Sequence, residues 1–445
     1  MDALGQGETA NEVSGAGIGG EAGSTIAPKV NPMKVAGIDV IAYPSSVKDV
    51  VTLRAALPAG KALASTGNPA IPTLTGMLLD QGTLKQDKFA IAEKLEAVGA
   101  SITFNVGTNV LEISARSLKK DAPLVIGLIA EQLRTPAFSA DEFAKAKQQF
   151  AGSLKRSLES TDFRAADAFS RALYPQAHPN RNPSPEDLLS AIEAAKLDDV
   201  IAFHKAHFGP AQMTLVMVGD LDMPKLEAAV KESFSGWQGG SQLVRVADAA
   251  SPRGAQSQEV IMADKTSVSV VLGQTSGLRY SDPDYQALQL ATAILGSGFT
   301  GRLMANVRDK EGLTYDVDAR LANDMVNRGD WKISATFAPL LLEKGLASTR
   351  RQLALWYEAG VTPAEVEDRK SNLIGSFKVD LATTGGMASA LLAAVNRGYG
   401  VNWLDEFPLK INALTHDQVN GVIKKYLKPD NMFLVKAGTL PATQE

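Results

Sequence analysis

Arg308 and Tyr315 stand seven residues apart in GRLMANVRDKEGLTYDV, residues 301–317, and their types suit one kind of chemistry. A phenol with a pKa near 10 is a neutral donor at pH 7 and can aim its proton at an oxygen that gains negative charge. A guanidinium grips a carbonyl or carboxylate with a forked pair of bonds. Such a pair could hold a substrate oxygen on which negative charge develops; an ordinary helix-surface arginine and an ordinary strand tyrosine are the other reading. The bend Gly296, Ser297, Gly298 just upstream is a candidate for touching substrate, and a plain turn is the other reading.

What such a pair lacks is an attacking group, and the chain offers none in the usual forms. It has no cysteine, which excludes disulfides, thiolate zinc sites and cysteine nucleophiles. No Gly-x-Ser-x-Gly elbow occurs, and the short GFTG at 298–301 is too little for a phosphate loop. There are four histidines. His204 and His207 form His-x-x-His, spaced for a metal, but at the end of a helix that runs into Phe208-Gly209-Pro210, where such side chains suit a helix C-terminus. His178, before Pro179 in LYPQAHP, reads as a structural loop residue, and His416 is left with no such role.

The elements that carry the pair read as a helix, a break at Gly312 and the start of a strand. Those elements belong to a larger repeat. SADEFAKAKQQFAGSLKRSLEST, from Ser139, matches TPAEVEDRKSNLIGSFKVDLATT, from Thr362, with Gly152 and Gly375 offset by 223 residues. Each is an amphipathic helix opened by a Ser or Thr cap and an early acidic residue. MTLVMVGDL from Met213 matches MFLVKAGTL from Met432, an offset of 219. DVVTLRAAL matches TSVSVVLGQT, and VLEISAR matches WKISATF, in the same order.

The expected fold class is therefore α+β. Two duplicated domains each hold a mixed, mostly antiparallel sheet with helices packed on one face. The expected divisions are a flexible tail over 1–32, a first domain over 33–234, a Gly, Ser and Ala rich linker over 235–257 and a second domain over 258–445.

The 445 residues, 45% of them hydrophobic, suffice for two such cores. A net charge of −4 points to neither nucleic acid nor an anionic membrane. No apolar run reaches the roughly 18 residues of a membrane span. The first 30 residues lack the basic and apolar regions of an intact signal peptide. They read as the start of a mature exported protein, hence a periplasmic location, with a native cytoplasmic tail as the alternative.

The duplicated plan and the phrase LGSGFTGRLMANVRDKEGLTYDVDARL resemble the pitrilysin/insulinase-like metallopeptidases over about residues 33–440. The resemblance implies that the two domains form half of a clamshell. It also implies an inverted zinc motif, His-x-x-Glu-His, on the first helix, with a distal Glu on a later one. In this chain those positions read Pro72, Thr75 and Gly76, and the distal position falls near Gly152 or Ser153. None can ligate zinc. The resemblance thus implies a chain that binds no cofactor itself. Its partner would be a homologous subunit carrying zinc, in a heterodimeric metalloendopeptidase that degrades peptides. Tyr315 would then stabilise the oxyanion and Arg308 bind the substrate backbone. A non-catalytic scaffold or peptide-binding subunit of the same fold is the alternative.

Overall fold

The computed structural model describes residues 25–246 and 255–440. The first half runs β1 (Asn31–Val35), β2 (Ile38–Pro44), β3 (Val50–Leu57), α1 (Ile71–Leu78), α2 (Lys88–Ala97), β4 (Ser101–Val106), β5 (Leu111–Leu118), α3 (Ala122–Arg134), α4 (Ala140–Ser157), α5 (Thr161–Leu173), α6 (Pro185–Ala194), α7 (Leu197–His207), β6 (Thr214–Gly219) and α8 (Met223–Phe234). The second half runs β7 (Gln256–Ile261), β8 (Val268–Thr275), α9 (Tyr285–Gly296), a π-helical turn (Met304–Lys310), β9 (Thr314–Ala322), β10 (Asp330–Phe337), α10 (Leu342–Ala359), α11 (Pro363–Leu381), α12 (Thr384–Asn396), α13 (Trp403–Ala413), α14 (His416–Tyr426) and β11 (Phe433–Gly438).

Each half forms one sheet, ordered β1-β2-β6-β3-β5-β4 and β7-β11-β8-β10-β9. Apart from the extra edge strand β1 the two orders are the same. The β2–β6 and β7–β11 pairs are parallel and the others antiparallel. The repeat read from the sequence is thus a repeat of topology. The paired helices α4 and α11 begin at the expected caps: Ser139 accepts from the Glu142 N–H, and Thr362 and Glu365 close a capping box.

The halves are joined by exchanging a helix. Each sheet packs its own helices on one face, and its other face receives a helix from the opposite half. Helix α5 lies on β8 and β11, and α12 lies on β3 and β6. Ala165, Ala168 and Phe169 of α5 are buried against Val260, Val271, Val435 and Ala437. The N-terminal ends match as well. Thr161 at the start of α5 shares a hydrogen bond with Ser269 at 2.7 Å, and Thr384 at the start of α12 shares one with Thr52 at 2.8 Å. This two-sided cover explains why β6 and β8 are buried along their whole length, as continuous apolar strands require.

LYPQAHP is part of the same joint. Tyr174 donates to Asp330 at 2.9 Å, and the Asn180 side chain donates to the Asn323 carbonyl at 2.9 Å. Burial, and then the charge of Asp330, push the Tyr174 phenol far above its ordinary range.

Of the tail expected over 1–32, residues 1–24 lie outside the described residues. Residues 26–30 are tied to the second half. The Asp405 carboxylate accepts from the Ile26 N–H at 2.8 and 3.0 Å and from the Ala27 N–H at 2.8 Å. Val30 enters the core of that half. A hydrogen bond to a charged group contributes about 2 kcal/mol. Asp405→Ala should therefore lower stability by about that much, and amide exchange should accelerate at Ile26 and Ala27 first. Unchanged exchange there would remove the tether from the account.

Of the linker expected over 235–257, residues 247–254 also lie outside the described residues. The part before them is tied to Asn327, whose side chain accepts from the Val246 N–H at 3.0 Å and donates to the Val244 carbonyl at 3.2 Å.

Candidate active site

The turn after α9 is shaped by close packing. At Gly296 an added Cβ would sit 2.5 Å from the Ala319 nitrogen and 2.7 Å from its Cβ, so only glycine lets α9 approach β9. Gly298 has φ +65°, the left-handed region. Arg369 of α11, 8% exposed, reaches in and donates to the Ser297 carbonyl at 3.2 Å and the Thr300 hydroxyl at 3.1 Å. Arg302 forks onto Glu365 with two bonds of 2.7 Å. Of the three residues expected to touch substrate, Gly296 is therefore buried in packing, while Ser297 and Gly298 lie exposed on a clamped turn.

The helix expected before Gly312 is a π-helical turn. Its wider winding shows in the Glu311 N–H bonding to the Asn306 carbonyl at 3.0 Å. Arg308 lies on this turn. Gly312 then reverses the chain at φ +63°, and Arg351 holds the far side by donating to Glu311 at 2.5 Å.

Strand β9 opens on a bulge. Thr336 faces Asp316 and Phe337 faces Thr314, so Tyr315 is the extra residue with no partner across the ladder. The Thr314 hydroxyl locks the irregularity by donating to the Thr336 carbonyl at 2.6 Å and the Asp316 carbonyl at 2.8 Å. Tyr315 is thrown outward and is 83% exposed.

The two sequence-selected residues meet here. The Arg308 guanidinium carbon lies 4.9 Å from the Tyr315 ring centroid and 5.4 Å from that of Phe299. Both distances are within cation–π range. Phe299 escaped the sequence reading. Its signal was an aromatic residue in a Gly-rich bend, which alone does not say whether the ring points inward.

The first half provides an internal control. Its counterpart of the π turn, α2, is a regular α-helix, and β4 pairs with β5 from Ser101 to Val106 with no shift. The wide turn and the bulge are thus departures from the repeat at the one place where Arg308 and Tyr315 sit.

The expected zinc positions lie on α1 and do not fit a metal. The Thr75 hydroxyl is buried and donates to the Ile71 carbonyl at 2.8 Å. An added Cβ at Gly76 would lie 2.2 Å from Cγ2 of Val106. Ser153, near the distal position, accepts from Arg156 at 2.9 Å. The histidines are occupied separately. His204 donates to the Leu133 carbonyl at 2.7 Å, His207 shares a 2.7 Å bond with Ser241, and His178 accepts from the Asn180 N–H at 3.0 Å. Burial lowers the pKa of all three. His416 meets the Val361 carbonyl at 2.7 Å.

The Arg302–Glu365 fork makes the site's scaffold acid-sensitive. Burial alone would raise the Glu365 pKa. The bonds from Arg302 and Thr362 outweigh it and hold the carboxyl at about 2, below the ordinary 4.5. A folded-state pKa below the unfolded one adds stability that is complete above about pH 4.5 and is lost as pH falls toward about 2. Glu365→Gln should therefore lower Tm at neutral pH, and its gap from wild type should close on acidification. A gap that stays constant down to about pH 2.5 contradicts this linkage.

Comparison with known proteins matches this architecture. The model of the peptidase M16 inactive domain family matches residues 194–373, the stretch that carries the π turn, the bulge and both residues. The chain is thus similar to the peptidase M16 family through that family's inactive domain. It is 22% identical over 84% of its length to the non-peptidase homolog YmxG of Helicobacter pylori, covering 85% of that protein. It is 26% identical over 79% of its length to an uncharacterized zinc protease of Mycobacterium tuberculosis, covering 80% of it. An M16 inactive-domain crystal structure from Pseudomonas fluorescens superposes with a TM-score of 0.85 at 26% identity, over 94% of this chain and 99% of that one. The periplasmic protease PqqL of Escherichia coli shares the fold at a TM-score of 0.75 and 16% identity, with 99% of this chain covering 49% of that one. This chain is thus a two-domain unit of the kind that makes up half of a clamshell.

Proposed function

We propose that this chain is an M16-type protein, the non-zinc-binding subunit of a heterodimeric metalloendopeptidase that degrades peptides. The observation that carries the reading is the bulged, exposed Tyr315 beside Arg308, a pair built by two local departures from the internal repeat. The chain's own zinc positions are closed, which supports a site completed by another subunit. The match to half of a longer protease chain supports the same division.

In that reading a zinc ion held by the partner would supply Lewis-acid activation of the carbonyl and of water. The residues of this chain hold the substrate. Arg308 takes a backbone carbonyl of the peptide with its forked donors, one face of its guanidinium lying beside the Tyr315 ring. Tyr315 donates its phenolic proton to the oxygen on which negative charge develops. The clamped turn and the locked bulge keep both groups in place before substrate arrives, which removes part of the ordering cost.

The test is reconstitution. The chain is co-expressed with a homologue carrying His-x-x-Glu-His, and the purified material is assayed for zinc and for peptide cleavage. One zinc per pair and activity only in the pair are expected. Cleavage by this chain alone, or a pair whose activity does not need it, overturns the reading. The name of the Helicobacter relative favours a second reading, a scaffold or peptide-binding subunit. That reading predicts a stable pair whose turnover is indifferent to both Arg308 and Tyr315.

A further inference from the structure

Phe299 has no part in the chemistry so far, yet its setting is unusual. It is 74% exposed, at the tip of the turn between Gly298 and Thr300. An exposed phenyl ring on a mobile loop would fold back onto apolar surface. Here the turn is held: Gly296 is wedged on β9, Gly301 packs on Gly296 with an added Cβ only 3.0 Å from its Cα, and Arg369 bonds both Ser297 and Thr300. The ring is therefore presented rather than loose. The Arg308 guanidinium lies 5.4 Å from its centroid, on the same side of the site as Tyr315.

We propose that Phe299 is a specificity-determining residue, an apolar platform that favours peptides with a bulky aliphatic or aromatic side chain next to the backbone gripped by Arg308. This rests on the reading of Arg308 and Tyr315 as substrate-facing groups. A peptide backbone gripped by Arg308 lies next to the phenyl ring, whose centroid is 5.4 Å from the guanidinium carbon. Covering the ring removes apolar surface from water, and aromatic partners add a preference of geometry. Among the described residues Arg308 is the cation within cation–π range of the ring.

The experiment uses labelled nonapeptides, alike except for Gly, Leu or Phe at the central position, titrated into the full chain by fluorescence anisotropy. Wild type should bind the Leu and Phe peptides about three- to tenfold more tightly than the Gly peptide. Phe299→Ala should bring the three within about twofold of one another while leaving the Gly peptide's affinity in place, and Phe299→Leu should restore most of the preference. Equal binding of the three peptides by wild type overturns the proposal. So does an equal loss for all three in Phe299→Ala, which would make the ring only a support for Arg308. The heterodimer reading is judged separately by turnover of the reconstituted pair: activity that does not need this chain defeats that reading and leaves the peptide preferences of the isolated chain standing.

Discussion

In the reconstituted pair, Tyr315→Phe should lower kcat by about 100- to 1,000-fold with little change in KM, since a preorganised oxyanion donor contributes about 3–4 kcal/mol to the transition state alone. The fold should not notice. The side chain is 83% exposed, and among the described residues its hydroxyl makes no hydrogen bond. The ring beside Arg308 is retained, so the guanidinium keeps its neighbour at 4.9 Å. Assembly and Tm should match wild type, which separates this effect from loss of structure. Arg308→Lys should behave differently. A lysine keeps the charge but loses the fork and the flat stacking surface, so KM should rise along with a fall in kcat. Turnover of Tyr315→Phe within a few-fold of wild type would exclude the oxyanion role.

Restoring the zinc ligands should unfold the chain rather than create an enzyme. In the combined variant Pro72→His, Thr75→Glu, Gly76→His, the side chain at 76 meets Val106 of β4, where even a Cβ would lie 2.2 Å from Cγ2. Overpacking of this kind costs about 1–3 kcal/mol. Thr75 is wholly buried, and a carboxylate there, with no metal in place to receive it, adds several kcal/mol more. The sum, about 5 kcal/mol or more, is comparable to the whole stability of a typical domain. The expected result is an aggregated or strongly destabilised protein with no stoichiometric zinc. The steric part can be isolated with Gly76→Ala, which should be destabilising alone and should recover when combined with Val106→Ala. A triple variant with wild-type Tm and one bound zinc would show that the site is still open.

The difference between these two places explains what could be read from the residues and what could not. The duplication was legible because α4 and α11, β3 and β8, β5 and β10, and β6 and β11 keep both their order and their cap and strand patterns, and periodicity is a local property of the chain. The spacing from Arg308 to Tyr315 was legible for the same reason. The shape of the segment between them was not. A π-helical turn and an α-helix share nearly the same residue preferences, and the bulge at Tyr315 exists only as a mismatch against Thr336 and Phe337, more than twenty residues away. Phe299 could not be placed until Arg369 and Gly296 were seen to hold its turn.

By itself, the sequence determined that this protein has two copies of one α+β plan, that the helix expected to bind zinc carries no ligand, and that a guanidinium and a phenol stand at a fixed spacing in the second copy. The first and third follow from residue types and near-neighbour periodicity, the second from the resemblance to the zinc metallopeptidases. Only the tertiary structure decided that α5 and α12 each cover the other half's sheet, that Gly76 leaves no room beside Val106, and that Arg308, Tyr315 and Phe299 share one surface. An amphipathic helix advertises an apolar face but not the sheet that will bury it, and distances between side chains on separate elements are set by packing across the fold.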